Sequence, residues 1–120
     1  KIPRIDILID DGSHRAKDQK ITFDEMYYHV SKPGIYLIED IELNYWPSKD
    51  KDKTDNFMTY MKSKIDELNI RRTMSRKISE SYPFKDTEVR FNNSTNSISF
   101  YENMVVLEKQ EMPKAKEIKR

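Results

Sequence analysis

Short apolar runs alternate with amphipathic segments along the first part of the chain. Residues 5–9 (Ile-Asp-Ile-Leu-Ile) are β-branched and nearly all apolar, which predicts a strand covered on both faces. Residues 17–31 carry an approximate apolar stripe that includes Ile21 and Tyr27, which is typical of a helix. Residues 35–38 (Ile-Tyr-Leu-Ile) then predict a second strand. Because a helix joins them, we expect the two strands to run parallel with a right-handed crossover.

Stop signals and a second helical pattern follow. Lys-Pro-Gly at residues 32–34 predicts the end of the first helix. Residues 55–68 predict a second helix, because their apolar residues recur at spacings of four, four and three. Those residues are Phe57, Met61, Ile65 and Leu68. Residues 71–86 carry a weak pattern, which we interpret as a connector with a short helix at most.

The last part of the chain predicts antiparallel pairing. Residues 87–91 favour a short strand, and the polar residues 92–96 favour a turn. Residues 97–101 alternate and residues 104–107 are apolar, which predicts a hairpin turning at Glu102-Asn103. The charged residues from Lys109 to Arg120 are expected to be frayed or helical rather than part of the core.

This order predicts an α/β fold, in which a parallel pair of strands is followed by an antiparallel hairpin. We expect residues 1–110 to form one unit and residues 111–120 to form a charged tail.

Composition narrows the function classes. The 120 residues include 22 Lys and Arg against 21 Asp and Glu, a formal net charge of +1. This balance argues against nucleic-acid and membrane-surface partners. There is no cysteine, so disulfides and thiolate metal sites are excluded. No apolar run is long enough for a membrane span, and we expect a soluble cytoplasmic domain.

Acidic pairs follow both predicted parallel strands. Asp10-Asp11 comes after the first strand and Glu39-Asp40 after the second. Ligands of open α/β sheets bind at the carboxyl ends of such strands, which lie about 5 Å apart. Crowded carboxylates favour a cation, and hard oxygen ligands suit Mg²⁺ or Ca²⁺.

The turn that follows the first acidic pair contains a candidate catalytic residue. Gly12 allows a turn that brings His14 close to the carboxylates, where its imidazole can accept a proton from a metal-held hydroxyl. The alternative is that these acids cap a helix or begin a polar loop. Asp10 fits a structural acid that orients the loop, and His29 fits a surface position at a helix end.

The motifs IDILIDDGSH and KPGIYLIEDIELNYW resemble those of the metal-dependent sugar O-methyltransferases that tailor macrolide antibiotics, the mycinamicin and macrocin type. These are class I S-adenosylmethionine-dependent methyltransferases with a Rossmann-like sheet. The resemblance covers about residues 4–47. It implies that the two predicted strands are strands four and five of that sheet, and that the terminal hairpin holds strands six and seven.

The resemblance also implies roles for individual residues. Asp11, Glu39 and Asp40 correspond to Mg²⁺ ligands, and His14 corresponds to the general base that deprotonates a sugar hydroxyl. Tyr45 and Trp46 are candidates for substrate contact, although ordinary loop packing explains them equally well. The implied cofactors are S-adenosylmethionine and Mg²⁺, and the implied acceptor is a hydroxyl of a sugar, polysaccharide or similar diol.

One departure from that family stands out. Its cofactor-binding half contains a glycine-rich turn, whereas the two glycines here, Gly12 and Gly34, belong to no such turn. We therefore expect a fragment, inactive alone, that lacks the main cofactor-binding half. Two alternatives remain open. One is a non-catalytic assembly module that pairs, as a homo-oligomer or with another chain, through an open strand edge. The other is an enzyme of a different class, because related metal-binding domains of this fold resemble cephalosporin-type hydroxylation components.

Overall fold

The computed structural model describes residues 3–46, 56–74 and 85–113. Helices and strands alternate in the first part of the chain, and a hairpin follows the last helix. The elements are β1 (Ile5–Asp10), α1 (Ala16–Met26), a 3₁₀ helix (Tyr27–His29), β2 (Val30–Glu39), a second 3₁₀ helix (Ile41–Asn44), α2 (Phe57–Met74), α3 (Asp86–Ser94), β3 (Thr95–Tyr101) and β4 (Met104–Lys109).

The four described strands form one mixed sheet in the order β1-β2-β4-β3. β1 and β2 are parallel, while β4 pairs antiparallel with both β2 and β3. The α/β class, the parallel pair and the terminal hairpin that turns at Glu102-Asn103 are therefore confirmed. Within the described residues β1 lies at the edge of the sheet, as the open-edge prediction requires.

Among the described residues, an aromatic-rich core lies between the helices and one face of the sheet. Tyr36 and Ile38 point into it from β2, as the alternation of a strand requires. The rings of Phe23 and Tyr27 stack with their centroids 4.6 Å apart, and Phe91 lies 5.5 Å from Tyr27. This layer holds β1 and β2 in register, so it fixes the positions at which the two strands end.

The other face of β1 is not covered, so the prediction of a strand buried on both faces is wrong for the described residues. Ile7 and Ile9 are 62% and 57% exposed, whereas Leu8 packs against the core. The described helices pack on the opposite face of the sheet, which explains the difference.

The helix predicted over residues 17–31 ends early. α1 stops at Met26, and the Lys-Pro-Gly sequence lies inside β2 rather than ending a helix. The pairing shifts from Ile5–Val30 to Ile7–Ile35, so the extra residues of β2 form a bulge. A Cβ on Gly34 would lie 2.3 Å from the Ser31 carbonyl oxygen, so this bulge requires glycine. Ile21, expected on the apolar stripe, is 51% exposed.

The strand predicted over residues 87–91 and the turn over 92–96 are also wrong. Residues 86–94 form α3, and β3 starts at Thr95. The Lys85 backbone N–H donates a 2.8 Å hydrogen bond to Glu88 Oε2, which begins the helix, and Phe91 is fully buried. The second predicted helix is confirmed but longer, as α2, and the weak segment beyond it falls largely on residues 75–84, outside the described residues.

Lys109 is the end of β4 and not the start of a frayed tail. Its side chain is 2% exposed, and Nζ donates to the carbonyl oxygens of Tyr27 and Val30 at 2.6 and 2.8 Å. Burial is the main cause that lowers its pKa from 10.5 to about 8. The chain then continues along the end of α3, where the Met112 N–H donates to the Asn93 carbonyl. Residues 114–120, most of the predicted tail, lie outside the described residues.

Candidate metal centre

The parallel pairing of β1 and β2 brings the two acidic pairs to one edge of the sheet. Asp10 is in register with Ile38, so the loop that begins at Asp11 lies beside the end of β2. Asp11 and Asp40 therefore leave neighbouring strand ends, and His14 lies between them. This arrangement follows directly from the order of the strands.

The loop after β1 is shaped by its own polar groups. The Gly12 N–H donates a 3.2 Å hydrogen bond to Asp10 Oδ1, and a Cβ on Gly12 would lie 3.1 Å from the same oxygen. The left-handed conformation is adopted by His14 (φ 62°) and not by Gly12. Gly12 is thus suited to a close approach, and the expectation that it makes the turn through special backbone freedom is corrected.

Ser13 ties the same loop to α1. Its hydroxyl donates a 2.6 Å hydrogen bond to Asp18 Oδ2 in the first turn of that helix. Burial raises the pKa of the Asp10 carboxyl, while its bond to the Gly12 N–H acts in the opposite direction. The interpretation of Asp10 as an acid that orients the loop is supported by these contacts.

The residue after β2 is held in an unusual conformation. Asp40 has φ 53° and ψ 57°, and a 3₁₀ helix begins directly after it. Gln19 of α1 donates to the backbone carbonyls of Glu39 and Asp40 at 3.4 and 3.5 Å. Asn103, in the β3–β4 turn, donates from Nδ2 to Asp40 Oδ1 at 3.0 Å. Gln19 of α1 therefore holds the backbone at the end of β2, and Asn103 of the β3–β4 turn holds the Asp40 carboxylate.

Backbone strain is concentrated at this site. Among the described residues, the non-glycine positions with positive φ are His14, Asp40 and Asn103. All three lie at the same edge of the sheet, although they come from three separate loops. Such conformations cost about 1–3 kcal/mol each and cluster at functional sites.

The side chains of Asp11, His14 and Asp40 converge to a geometry that fits a metal ion. One ligand atom from each lies within 4.8 Å of the others. His14 Nε2 is 3.8 Å from Asp11 Oδ1 and 3.6 Å from Asp40 Oδ2. The carboxylate oxygens of Asp11 and Asp40 are among the atoms of this group, and two oxygens bound to one Mg²⁺ at about 2.0–2.1 Å lie roughly 3–4 Å apart, so the two aspartates are close enough to share an ion.

Donor chemistry separates the roles within this cluster. Carboxylate oxygens suit Mg²⁺ and Ca²⁺, whereas imidazole nitrogen suits transition metals. The two aspartates therefore fit a hard divalent cation, and His14 fits a group beside it. His14 Nδ1 is buried and has no hydrogen-bond partner among the described residues, while Nε2 faces both carboxylates.

The structure does not bring every predicted site residue into this cluster. Glu39 is the last residue of β2 and half-buried, and it is not part of the three-residue group. Its role as a ligand stays a prediction. Tyr45 and Trp46 follow the second 3₁₀ helix, and each is 62% exposed. His29 is exposed at the end of the first 3₁₀ helix, as predicted.

Tyr45 lines an apolar groove of about 700 Å³ next to the cluster. Ile41 and Met58 contribute to one part of it, and Phe100 comes from the hairpin. Asn103 also borders the groove, so the groove and the metal cluster share the β3–β4 turn. Tyr45 therefore lines this groove, whereas Trp46 is not part of its lining, and the substrate contact of both residues stays a prediction.

Sequence reasoning missed two residues that hold the site together, Gln19 and Asn103. Gln19 is 2% exposed, and its side-chain amide donates to main-chain oxygens at the end of β2 and accepts from Asn44 Nδ2, contacts that no motif signals. Asn103 was predicted only as a turn residue. Asparagine tolerates a left-handed conformation, and this local preference explains the turn but not the bond to Asp40.

In the described part of the chain, none of the helices is both long and apolar enough to cross a bilayer.

Comparison with known proteins adds to this geometry. No protein-family model matches the chain. Over 109 residues it is 28% identical to the 8-demethyl-8-alpha-L-rhamnosyl tetracenomycin-C 2'-O-methyltransferase of Streptomyces olivaceus, an alignment of 88% of this chain and 27% of the relative. Over 68 residues it is 38% identical to the demethylmacrocin O-methyltransferase of Streptomyces fradiae, covering 52% of this chain and 17% of that one.

Solved structures give the same picture of the fold. The chain superimposes on the methyltransferase MycE from the mycinamycin biosynthetic pathway, in complex with Mg and SAH, with a TM-score of 0.67 and 25% identity. That match covers 88% of this chain and 27% of MycE. The resemblance to sugar O-methyltransferases and the α/β fold class are therefore confirmed. The chain spans about a quarter of the length of the relatives that match most of it.

Proposed function

We propose that this chain supplies the metal-binding edge of a Mg²⁺-dependent O-methyltransferase, which transfers a methyl group from S-adenosylmethionine to a hydroxyl of a sugar or similar diol. The observation that carries the proposal is the convergence of Asp11, His14 and Asp40 at the ends of two parallel strands. Similarity to several sugar O-methyltransferases supports the class of reaction. The Mg- and SAH-bound MycE complex supports the two cofactors.

In this proposal Asp11 and Asp40 bind the cation, and Glu39 completes the carboxylate set from the neighbouring position. Carboxylates are the typical protein ligands of Mg²⁺, which keeps several waters and binds substrate oxygens at its other positions. Bound there, Mg²⁺ would lower the pKa of a coordinated hydroxyl and orient a vicinal diol.

His14 is proposed as the general base. Its Nε2 atom lies on the side of the imidazole that faces both aspartates, so it is close to any hydroxyl held beside them. The hydroxyl proton would pass to Nε2, and the two carboxylates would stabilise the imidazolium that results. S-adenosylmethionine would supply the methyl group: the hydroxyl oxygen would bond to the methyl carbon, the carbon–sulfur bond would break, and S-adenosylhomocysteine would be released.

The cofactor-binding part of the enzyme is proposed to lie outside these 120 residues. The two glycines do not form a glycine-rich turn, and the chain spans about a quarter of the matching relatives. The intact mass of the natural protein, measured after capture with an antibody to this segment, tests this point. A mass well above that of 120 residues supports the proposal, and a mass equal to it contradicts it.

Methyl transfer by the intact natural protein tests the activity. With S-adenosylmethionine and a glycoside that carries a vicinal diol, we expect methylated product that disappears with EDTA and returns with added Mg²⁺. Catechol serves as the control acceptor, because it offers a diol without a sugar. Methylation of catechol alone would contradict the sugar assignment, and product formation that is insensitive to EDTA would contradict the metal mechanism.

An assembly module is the second candidate, favoured by one observation. In the part of the chain that the structure describes, β1 is an edge strand and exposes Ile7 and Ile9 on its uncovered face, which is a surface suited to pairing. Light scattering after size-exclusion chromatography separates the candidates. A stable, specific dimer of the 120-residue chain favours the module, whereas aggregation favours a part of a larger enzyme.

A further inference from the structure

The turn between β3 and β4 contacts the proposed metal centre through one side chain. Asn103 donates from Nδ2 to Asp40 Oδ1 at 3.0 Å, and its Oδ1 accepts a 2.9 Å hydrogen bond from the Glu42 N–H. The two contacts span the residue at the end of β2 and the first turn of the 3₁₀ helix that follows. A single amide therefore bridges two points of the loop that carries Asp40.

The direction of this amide is fixed by its partners. A backbone N–H can only donate, so the Asn103 oxygen must face Glu42, and the amino group is left for Asp40. A carboxylate can only accept, so the second contact fits the same orientation. The reversed amide would place two acceptors together at Asp40 and two donors together at Glu42.

The contact also distinguishes the two oxygens of Asp40. Oδ1 is occupied by Asn103, while Oδ2 lies 3.6 Å from His14 Nε2. Oδ2 is therefore the oxygen that belongs to the three-residue cluster. Rotation of the carboxylate would break the bond to Asn103, so the bond keeps Oδ2 directed at the cluster.

The backbone of the turn is suited to this task. Asn103 has φ 59°, a left-handed conformation that asparagine accepts more readily than most residues. The β3–β4 pairing on both sides of the turn, from Phe100–Val105 to Tyr101–Met104, holds it in place. The donor is thus presented by a rigid hairpin and not by a free loop.

We propose that Asn103 is a positioning residue of the metal centre, which orients the Asp40 carboxylate so that Oδ2 binds the cation. This inference rests on the proposed function, because it assumes that Asp40 is a ligand. Groups that hydrogen-bond to metal ligands commonly change metal affinity or activity by about 10–100-fold when they are removed.

A calorimetric titration of the intact natural protein with Mg²⁺ tests the proposal. Asn103→Gly removes the amide but keeps the positive φ acceptable, and we expect about 10–100-fold weaker Mg²⁺ binding. Asn96→Gly is the matched control, because Asn96 is an exposed residue of β3 away from the site. We expect unchanged Mg²⁺ affinity in that control. Equal affinity in wild type and Asn103→Gly would overturn the inference but leave the proposed function intact.

A double-mutant cycle shows whether Asn103 acts through Asp40. If it does, Asn103→Gly adds little further loss of Mg²⁺ affinity in a protein that already carries Asp40→Asn. Fully additive losses contradict the inference. A wild type that binds no Mg²⁺ at all contradicts both the inference and the proposed function.

A second measurement leaves Asn103 in place, so its main readout is independent of how well an Asn103 variant folds. In the wild-type protein, addition of Mg²⁺ should shift the NMR signal of the Asn103 side-chain amide, because its Asp40 partner changes its bonding. Asp11→Asn should weaken that response. An amide signal that Mg²⁺ leaves unmoved, in a protein that binds Mg²⁺, would overturn the inference.

Discussion

His14 Nε2 lies 3.6 Å from Asp40 Oδ2, and both residues have left-handed backbone conformations. They come from loops after different strands, and the parallel pairing of β1 with β2 brings those loops together. Two strained residues whose side chains meet beyond the ends of two parallel strands indicate a site whose geometry is held by the fold.

The first prediction tests whether His14 acts as a general base or as a metal ligand. In the intact natural protein, His14→Ala should lower turnover by about 10²–10⁴-fold, the usual contribution of a general base. Mg²⁺ affinity should stay nearly unchanged, because imidazole is a poor ligand for this ion. Turnover and Mg²⁺ titration, measured on the same preparations, check both expectations.

His29→Ala is the control, since His29 is exposed on a 3₁₀ helix and lies outside the cluster. It should leave turnover and Mg²⁺ affinity unchanged. If His14→Ala weakens Mg²⁺ binding as severely as it slows turnover, His14 is a ligand and the assignment as a base is wrong.

The bulge in β2 gives a prediction about stability. Gly34→Ala places a Cβ 2.3 Å from the Ser31 carbonyl oxygen, a backbone atom that can move only if the strand moves. We expect a loss of about 1–3 kcal/mol in the free energy of unfolding, typical of overpacking. Gly12→Ala is the comparison, because its Cβ meets only the Asp10 side chain, at 3.1 Å. Denaturant unfolding should show the smaller loss for Gly12→Ala, and the reverse order would contradict this account of the bulge.

Lys109 gives a prediction about pH. Its folded-state pKa is about 8 and its ordinary value is 10.5, so between these values the unfolded chain binds more protons than the folded one. Titration of Lys109 therefore makes the free energy of unfolding rise with pH from about 8 to 10.5, and it produces no pH dependence below this range. Lys109→Met should remove this rise, measured by denaturant unfolding at a series of pH values.

The stabilities of wild type and Lys109→Met are best compared below about pH 10. Above this pH, buried tyrosines make the free energy of unfolding fall as the pH rises. Burial raises the pKa values of Tyr27 and Tyr36, so the unfolded chain loses these phenolic protons first and stability falls. Parallel pH profiles for wild type and Lys109→Met would contradict the prediction. The variant should also be less stable throughout, since the carbonyls of Tyr27 and Val30 lose a buried donor.

The sequence predicted the parts of the site that depend on local pattern and chain order. An apolar strand followed by Asp10-Asp11, and another followed by Glu39-Asp40, predict two acidic loops at one sheet edge, and the structure brings Asp11 and Asp40 together there. The hairpin turn was also predicted, because alternation stops at Glu102-Asn103. These features need no knowledge of distant contacts.

Features that depend on distant contacts were missed or predicted wrongly. Thr87 and Val89 favour strand locally, but burial of Phe91 and the Glu88 contact with the Lys85 N–H stabilise a helix. The charge of Lys109 predicts a side chain exposed to solvent, but the side chain is buried because its Nζ donates to two backbone carbonyls. The contact of Asn103 with Asp40 joins different elements, so no local pattern in the sequence signals it.

Mg²⁺ titration of the intact natural protein, in the wild type and in Asp11→Asn, is the decisive test of the metal centre. Loss of one charged oxygen ligand should weaken Mg²⁺ binding by about tenfold or more. Asp66→Asn, an exposed substitution on α2, should bind as the wild type does. The account predicts tight binding in the wild type and in Asp66→Asn, with a clear loss in Asp11→Asn. Equal affinity in all three proteins would remove Asp11 from the ligands and contradict the metal centre described for this fold.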